Sequence, residues 1–537
     1  LRKGTMEHPN LAKRPSVMVE DSKWTRFFIE LQPLPCSQQK PEIWIKDRRD
    51  ELVRKVRCMI QDFISNKENL LLGMSTVDAL ERLGVGYHFE EEIITFMDVL
   101  SSKPIGVDDL YAVALQFRLL RQHHYNTITC DVFKNFVDEN GVLKDTIGSN
   151  VDALLSLYEA AYLCKYDEDV LNNAHASAVD RLWSLANSGH LPKPIKDKVL
   201  HALASPTHRR TKRLQAKIYI SIYKDDKECN QDILELAKLD FHILQQMHRD
   251  EVKNFSLWYK DLNPRSTLGE YIRERPVESY YWALGVFYEP RYAKTRMMFV
   301  KVMVLLSFFD DIFDSYGTLE EVRQFNQAVQ SWNEEAADQI GKCYGYVLSR
   351  ISKTFEEFVN DAGASPVGIN YLKESVKQIS KCMVQEVVWR EERHVPTVDD
   401  YLKQAAAITV LYVPVALISF IGMEANDDIL CWAFTFPKII EIAAIMCRLM
   451  DDVAGHENEK EERSKCFTAV DCYIKQHGGT VEQAKKALHS LIEEYWRRIN
   501  QEFLDNDTLP VPLLVVLMNL VRAMDVMYIG VDTSKNF

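Results

Sequence analysis

The alternation of apolar and polar positions along the chain predicts helices and almost no strands. In residues 50–64 (DELVRKVRCMIQDFI) and 319–332 (LEEVRQFNQAVQSW), apolar side chains return every three or four positions with charges between them. That is the period of a helix burying one face. Period-two alternation is nearly absent, so the expectation is an all-α protein. One run breaks the amphipathic rule: residues 404–423, QAAAITVLYVPVALISFIGM, carry no charge over a length that could cross a bilayer. Pro414 in mid-run, polar Thr409 and Ser419, and the lack of a companion span predict a buried, kinked core helix instead of a membrane span.

At 537 residues the chain exceeds what one hydrophobic core organises, which predicts two domains. A polar, basic segment, SPTHRRTKRLQAK (205–217), is expected to be a solvated loop or helix end, and a charged stretch soon after it separates two helical patterns. The expected layout is a flexible N-terminus over 1–15, an N-terminal helical domain over 16–224 and a C-terminal domain over 225–537. Met6 is the expected natural start, with Leu1 to Thr5 extraneous. A net charge of −13 argues against nucleic acid or an anionic membrane as partner. Eleven scattered cysteines without a CxxC, and an N-terminus without signal or transit character, predict reduced thiols and a cytoplasmic location.

Chemistry enters where apolar helices end in acid. In MVLLSFFDDIFDSYGT (303–318), Asp310 and Asp314 lie four residues apart and share a helical face with Cβ atoms about 6 Å apart, while Asp311 points away and drops out as the outward-facing member. Met303, Leu306 and Ser307 lie below them. Two buried like charges require neutralisation, and an all-oxygen donor set without histidine favours Mg²⁺ or Mn²⁺ over Zn²⁺. The alternative for this stretch alone is an exposed C-terminal turn.

A second acidic helix, IMCRLMDDVAGHENEKEER, puts Asp451, Gly455 and Glu459 on one line with Arg448 a turn before. It suits a metal on Asp451 and Glu459 with a guanidinium beside the same anion. A charged surface helix is the alternative. His456 followed by Glu457 does not make HExxH, so a zinc peptidase is not indicated. In YIRERPVESYYWALG, Arg273 and Arg275 alternate before Pro276 and the aromatics Tyr280, Tyr281 and Trp282, a pattern that can fork onto phosphate or serve only as helix-start charge and core.

DDIFD followed by SYGT, the arginine pair 273/275 and RLMDDVAGHENE, in this order, resemble the plant class I terpene synthases, most closely the sesquiterpene cyclases. The flanks LAKLDF (236–241), LWYKDL (257–262) and YYWALGVFYEPRY (280–292) extend the likeness over nearly the whole chain. The resemblance implies an N-terminal α-barrel-like relic domain and a C-terminal class I α-helical bundle around an apolar cavity. It implies three Mg²⁺ ions, two on Asp310 and Asp314 and a third on Asp451, Gly455 and Glu459. Arg273, Arg275 and Arg448 would hold the diphosphate, with Trp282 and Tyr528 as aromatic pocket positions.

The implied reaction is ionisation of farnesyl diphosphate and cyclisation of the carbocation by a monomeric enzyme. A monoterpene synthase, a prenyl transferase with the same metal logic, and a non-catalytic helical scaffold are the alternatives. Gly455 stands where the family usually has Ser or Thr, and Asp532 is the only match to an acidic C-terminal loop. No DxDD motif is found: Asp167, Glu168 and Asp169 have the wrong spacing for protonation-initiated cyclisation.

Overall fold

The structure, a computed structural model, describes residues 23–31, 41–66, 69–103, 108–148, 150–269, 271–404, 412–462 and 467–529. Among them all regular elements are helical, and an isolated bridge between Val137 and Leu143 is the sole extended pairing. The all-α expectation holds.

The helices form two compact units. One comprises Glu251–Ala283 and Tyr292–His489 with residues 23–31; the other comprises the described residues of 32–250, Leu284–Arg291 and those from 490 onward. Residue 225 falls in the turn between helices Lys212–Lys224 and Gln231–Leu262, whereas the compact division comes at 250/251, inside the second helix. Composition marks the turn, but compactness follows which helix faces are buried together.

In the second unit, one core gathers Leu52, Met74, Phe89 and Phe96, and another gathers Phe117, Phe133, Leu154 and Leu182. Glu168, in the acidic triplet noted above, is structural: it accepts from the fully buried Arg121 and from the backbone N–H of Lys165 at 2.9 Å. The basic segment corrects the sequence reading, since His208, Arg209, Arg210 and Thr211 are buried. Arg209 forks onto Glu493 with two contacts of 2.6 Å and lies over the rings of Tyr162 and Trp496. A run of arginines looks solvated when its partners lie hundreds of residues away.

In the first unit, the described part of the charge-free run is the helix Tyr412–Gly422, buried from Tyr412 through Ile421. Pro414 lies within this buried stretch, and the kink expected there falls against residues outside the described ones. Residues 405–411 lie outside the described residues. Ser419 returns its hydroxyl to the Val415 carbonyl at 2.7 Å, which satisfies a polar group in an apolar helix. One other helical stretch, Val511–Tyr528, is long and apolar enough to cross a membrane, and 67% of it is buried within the protein.

Candidate active site

The helix Ala293–Asp311 is buried nearly all round. From Val302 to Ser315 its partly accessible positions are Met303, Ser307, Asp310 and Asp314, a single line at helical spacing. Leu306, expected on that face, is buried instead. The chain leaves α geometry at Ile312 and runs as a π-helical turn to Tyr316, a local widening that recurs at functional sites.

The turn is fixed from three sides. Phe309 and Phe313 pack against each other and against Phe325, which in turn meets Tyr344 at a centroid distance of 5.1 Å. Arg390 donates to the carbonyls of Asp314 (2.9 Å) and Phe313 (3.2 Å), acceptors that a helix end leaves without intrahelical partners. At Gly317 a Cβ would stand 2.4 Å from Val322 Cγ1, so only glycine permits the approach. Thr318 then opens the helix Leu319–Ser331 with a capping box to Glu321. The motif SYGT is thus a π turn, a close approach and a cap in sequence.

Arg273 organises the three aspartates. Its Nη2 donates to Asp310 at 2.6 Å and lies 4.0 Å from Asp314, while its Nε and its backbone N–H donate to Asp311 at 2.5 and 2.9 Å. Asp311 therefore contradicts the sequence expectation: its side chain is fully buried. It points away from the accessible line, but into the protein, because the helix end is buried on that side too. Burial pushes its carboxyl above the ordinary aspartate range, against the pull of Arg273. Burial also opposes the Arg273 charge, but the three aspartates outweigh it and hold the guanidinium protonated. Arg275 does not join Arg273; it is exposed, and its carbonyl accepts from the Ser279 hydroxyl at 2.7 Å.

The helix Lys438–Glu462 repeats this logic. Arg448, Asp451 and Gly455 are half-buried and in line, as the spacing predicts. Asp451 makes no hydrogen bond or ion pair with a described residue, whereas its neighbour Asp452 is buried and accepts from the Ala469 N–H at 2.7 Å. Burial pushes the Asp452 carboxyl up to about 7, against the pull of Arg448. Arg448 reaches Asp452 at 3.7 Å and Glu386 at 3.5 Å, and stands over the Tyr401 ring. His456 Nδ1 lies 2.8 Å from the Thr468 hydroxyl, at the cap of the helix Ala469–His477. Glu459 falls within the helix, but its side chain is outside the described residues, as is Asp532.

One helix touches both acidic elements. Pro366–Glu392 carries Glu386, which meets Arg448, and Arg390, which meets the carbonyls of Phe313 and Asp314. Four residues apart, these side chains share a face. Asp311, Asp452, Glu386 and Arg390 are the residues that motif reading missed. The aspartates had a signal: each falls in phase with buried apolar positions of its own helix, Phe308 for Asp311 and Leu449 for Asp452. Trp282 is half-buried on the helix Pro276–Val286, and Tyr528 is half-buried in the π-helical stretch Asp525–Ile529 of the other unit.

The donor chemistry fits the Mg²⁺ implied by the resemblance. Asp310, Asp314 and Asp451 are partly accessible carboxylates, and a guanidinium already spans the first pair, where positive charge is needed.

Comparison with known proteins agrees in both halves. Residues 260–498 match the pattern described as terpene synthase family, metal binding domain, and residues 23–203 match terpene synthase, N-terminal domain. The (-)-germacrene D synthase of Vitis vinifera is 36% identical over 527 residues, covering 94% of this chain and 93% of its own. The alpha-humulene synthase of Zingiber zerumbet is 36% identical over 526 residues, covering 97% and 94%. Among solved structures, isoprene synthase from grey poplar (Populus x canescens), in complex with three Mg²⁺ ions and dimethylallyl-S-thiolodiphosphate, superposes with a TM-score of 0.81. It is 29% identical, with 90% of this chain and 92% of that one covered.

Proposed function

Because the chain belongs to the terpene synthase family and resembles its sesquiterpene synthases over most of its length, we propose that it ionises farnesyl diphosphate and cyclises the cation to a sesquiterpene, releasing diphosphate. The observation that carries this reading is the pair of acidic elements joined through one face of Pro366–Glu392. Each presents an accessible aspartate first and a buried aspartate second, and each buried aspartate grips an arginine.

Asp310 and Asp314, and Asp451 with Glu459 on the second element, would hold Mg²⁺, which would supply Lewis acidity and neutralise charge on a leaving diphosphate; Gly455 offers no side-chain ligand where the family usually has a hydroxyl. We take three ions, as in the poplar isoprene synthase complex. The chain's own residues do the remaining work. Asp311 and Asp452 hold Arg273 and Arg448 in place, so fixed positive charge stands ready without reorganisation. Arg448 stands 3.5 Å from Glu386 and 3.7 Å from Asp452. Arg275, exposed and with no side-chain partner among the described residues, is free to meet diphosphate oxygens. A carbocation asks for π faces and dryness instead of a base, and Trp282 is the aromatic assigned to it.

The experiment is incubation with farnesyl diphosphate and Mg²⁺, followed by gas chromatography–mass spectrometry. The expected result is a C15 terpene whose formation stops with EDTA. Product from geranyl diphosphate alone replaces the reading with a monoterpene synthase, and no Mg²⁺-dependent product from C10, C15 or C20 substrate refutes catalysis.

A further inference from the structure

The buried basic segment leaves a set of charges that terpene chemistry does not use. In the second unit, a small pocket open to solvent lies among the helices Leu70–Arg82, Leu110–Gln122 and Lys212–Lys224 and the turn Thr207–Arg209. Arg82, Arg118, Arg210 and Lys212 line it, against the carboxylates of Asp78 and Glu81. In a protein of net charge −13, four cations facing two anions make a local positive excess in a desolvated place. The groups behind the wall do not cancel it, because Arg522 and Glu159 add one charge of each sign.

The anions are already committed. Asp78 meets Arg118 at 2.6 Å and Arg82 at 3.7 Å. Glu81 accepts from Gln122 at 2.6 Å and lies 2.8 Å from His123, and Glu159 takes the Thr207 N–H and hydroxyl at 2.8 and 2.9 Å. Among the cations, Arg82 and Arg118 share Asp78, whereas the other two meet no anion at hydrogen-bonding distance. Arg210 has only neutral partners: Gln215 at 2.7 Å, the His201 ring and the carbonyls of His201 and Ser205. Lys212 makes no hydrogen bond or ion pair with a described residue. Burial lowers both of these cations below their ordinary values, which marks them as unneutralised.

Three buried donors on the same wall, Arg82 Nε, Arg118 Nε and Gln215 Nε2, meet no acceptor, although Arg118 and Gln215 are only 5% and 2% exposed. Buried donors without acceptors call for an acceptor from outside the chain. The helix Lys212–Lys224 also begins here, and Thr211 gives it no side-chain cap.

We propose that this pocket is an anion site, separate from the catalytic site, that takes a small phosphate-class oxyanion. Guanidinium forks match tetrahedral oxyanions, and the shared chemistry covers free orthophosphate and the diphosphate that the proposed reaction releases.

The test is isothermal titration calorimetry and thermal unfolding of the full chain in EDTA, with ionic strength held constant by chloride. Orthophosphate and diphosphate are titrated in separate arms. The expected result is saturable binding and a rise in unfolding midpoint with at least one of them; the arm that binds more tightly identifies the source. Lys212→Met should weaken binding at least tenfold, whereas Arg448→Met, which alters the catalytic site, should leave it unchanged. No saturable effect in the wild type overturns the proposal, as does loss in Arg448→Met with retention in Lys212→Met. Should Lys212→Met fail to fold, Lys212→Gln reads the same loss, and failing both, the wild-type titration decides.

Discussion

Replacing Asp311 with asparagine separates bracing from the proposed metal binding within one doublet. The carboxylate is fully buried and accepts from Arg273 at Nε (2.5 Å) and at the backbone N–H (2.9 Å). Asparagine keeps the shape, but its amide can accept only one of these bonds and turns a donor toward the other. Removing one member of a buried ion pair costs about 3–5 kcal/mol. Arg273 keeps Asp310 at 2.6 Å and is partly accessible, which places Asp311→Asn near the low end, about 3 kcal/mol. For a unit of some 150–250 residues this lowers the melting midpoint by roughly 6–12 °C. Asp310→Asn is the matched control: its carboxylate is partly accessible and beside like charge, so its midpoint should move by roughly 3 °C or less. Thermal unfolding followed by circular dichroism, alongside turnover, reads both. Turnover should fall in both variants, but stability only in Asp311→Asn. If Asp311→Asn melts within about 2 °C of wild type, the buried carboxylate is not a brace and the reading of the doublet fails.

Gly317→Ala should destabilise by about 1–3 kcal/mol in urea unfolding, because its Cβ would meet Val322 Cγ1 at 2.4 Å in a packed interior. Arg390→Met removes the cap on the Phe313 and Asp314 carbonyls; turnover should fall at least tenfold in steady-state kinetics, with about 1–3 kcal/mol of stability lost. Asp525 supplies a pH test. Burial, stronger than the pull of Arg209, raises its carboxyl to about 6, so the folded state holds the proton more tightly than the unfolded state. The associated stability is present below about pH 4 and lost as pH rises through about 6. Asp525→Asn should therefore flatten the fall in urea midpoint between pH 4.5 and 7.5, and an unchanged slope would refute the assignment.

The helical class and the accessible acidic faces could be read from the chain because both depend on local spacing. Asp310 with Asp314, and Arg448 with Asp451 and Gly455, lie on the lines that a 3.6-residue period predicts. The second aspartate of each doublet was misjudged at Asp311 and passed over at Asp452, for one reason. Periodicity says that a side chain points away from its neighbour, but whether that direction is solvent or interior depends on elements far along the chain. Asp452 is buried by Ala469 and Tyr401, and Asp311 is held by Arg273. Arg209 failed the same way, since its partner Glu493 lies 284 residues away.

The helix Pro366–Glu392 also bears on how such an enzyme diversifies. Glu386 and Arg390 are about 6 Å apart along a rigid rod, and each holds a different one of the two acidic elements. The rod acts as a gauge bar: the separation of the two acidic elements is inherited from one backbone segment. On the proposed reading, residues facing the substrate's hydrocarbon tail can then drift, and with them the product, while the spacing of the acidic elements stays calibrated. Change at the bar itself disturbs both arms together, so selection for new products has reason to act elsewhere.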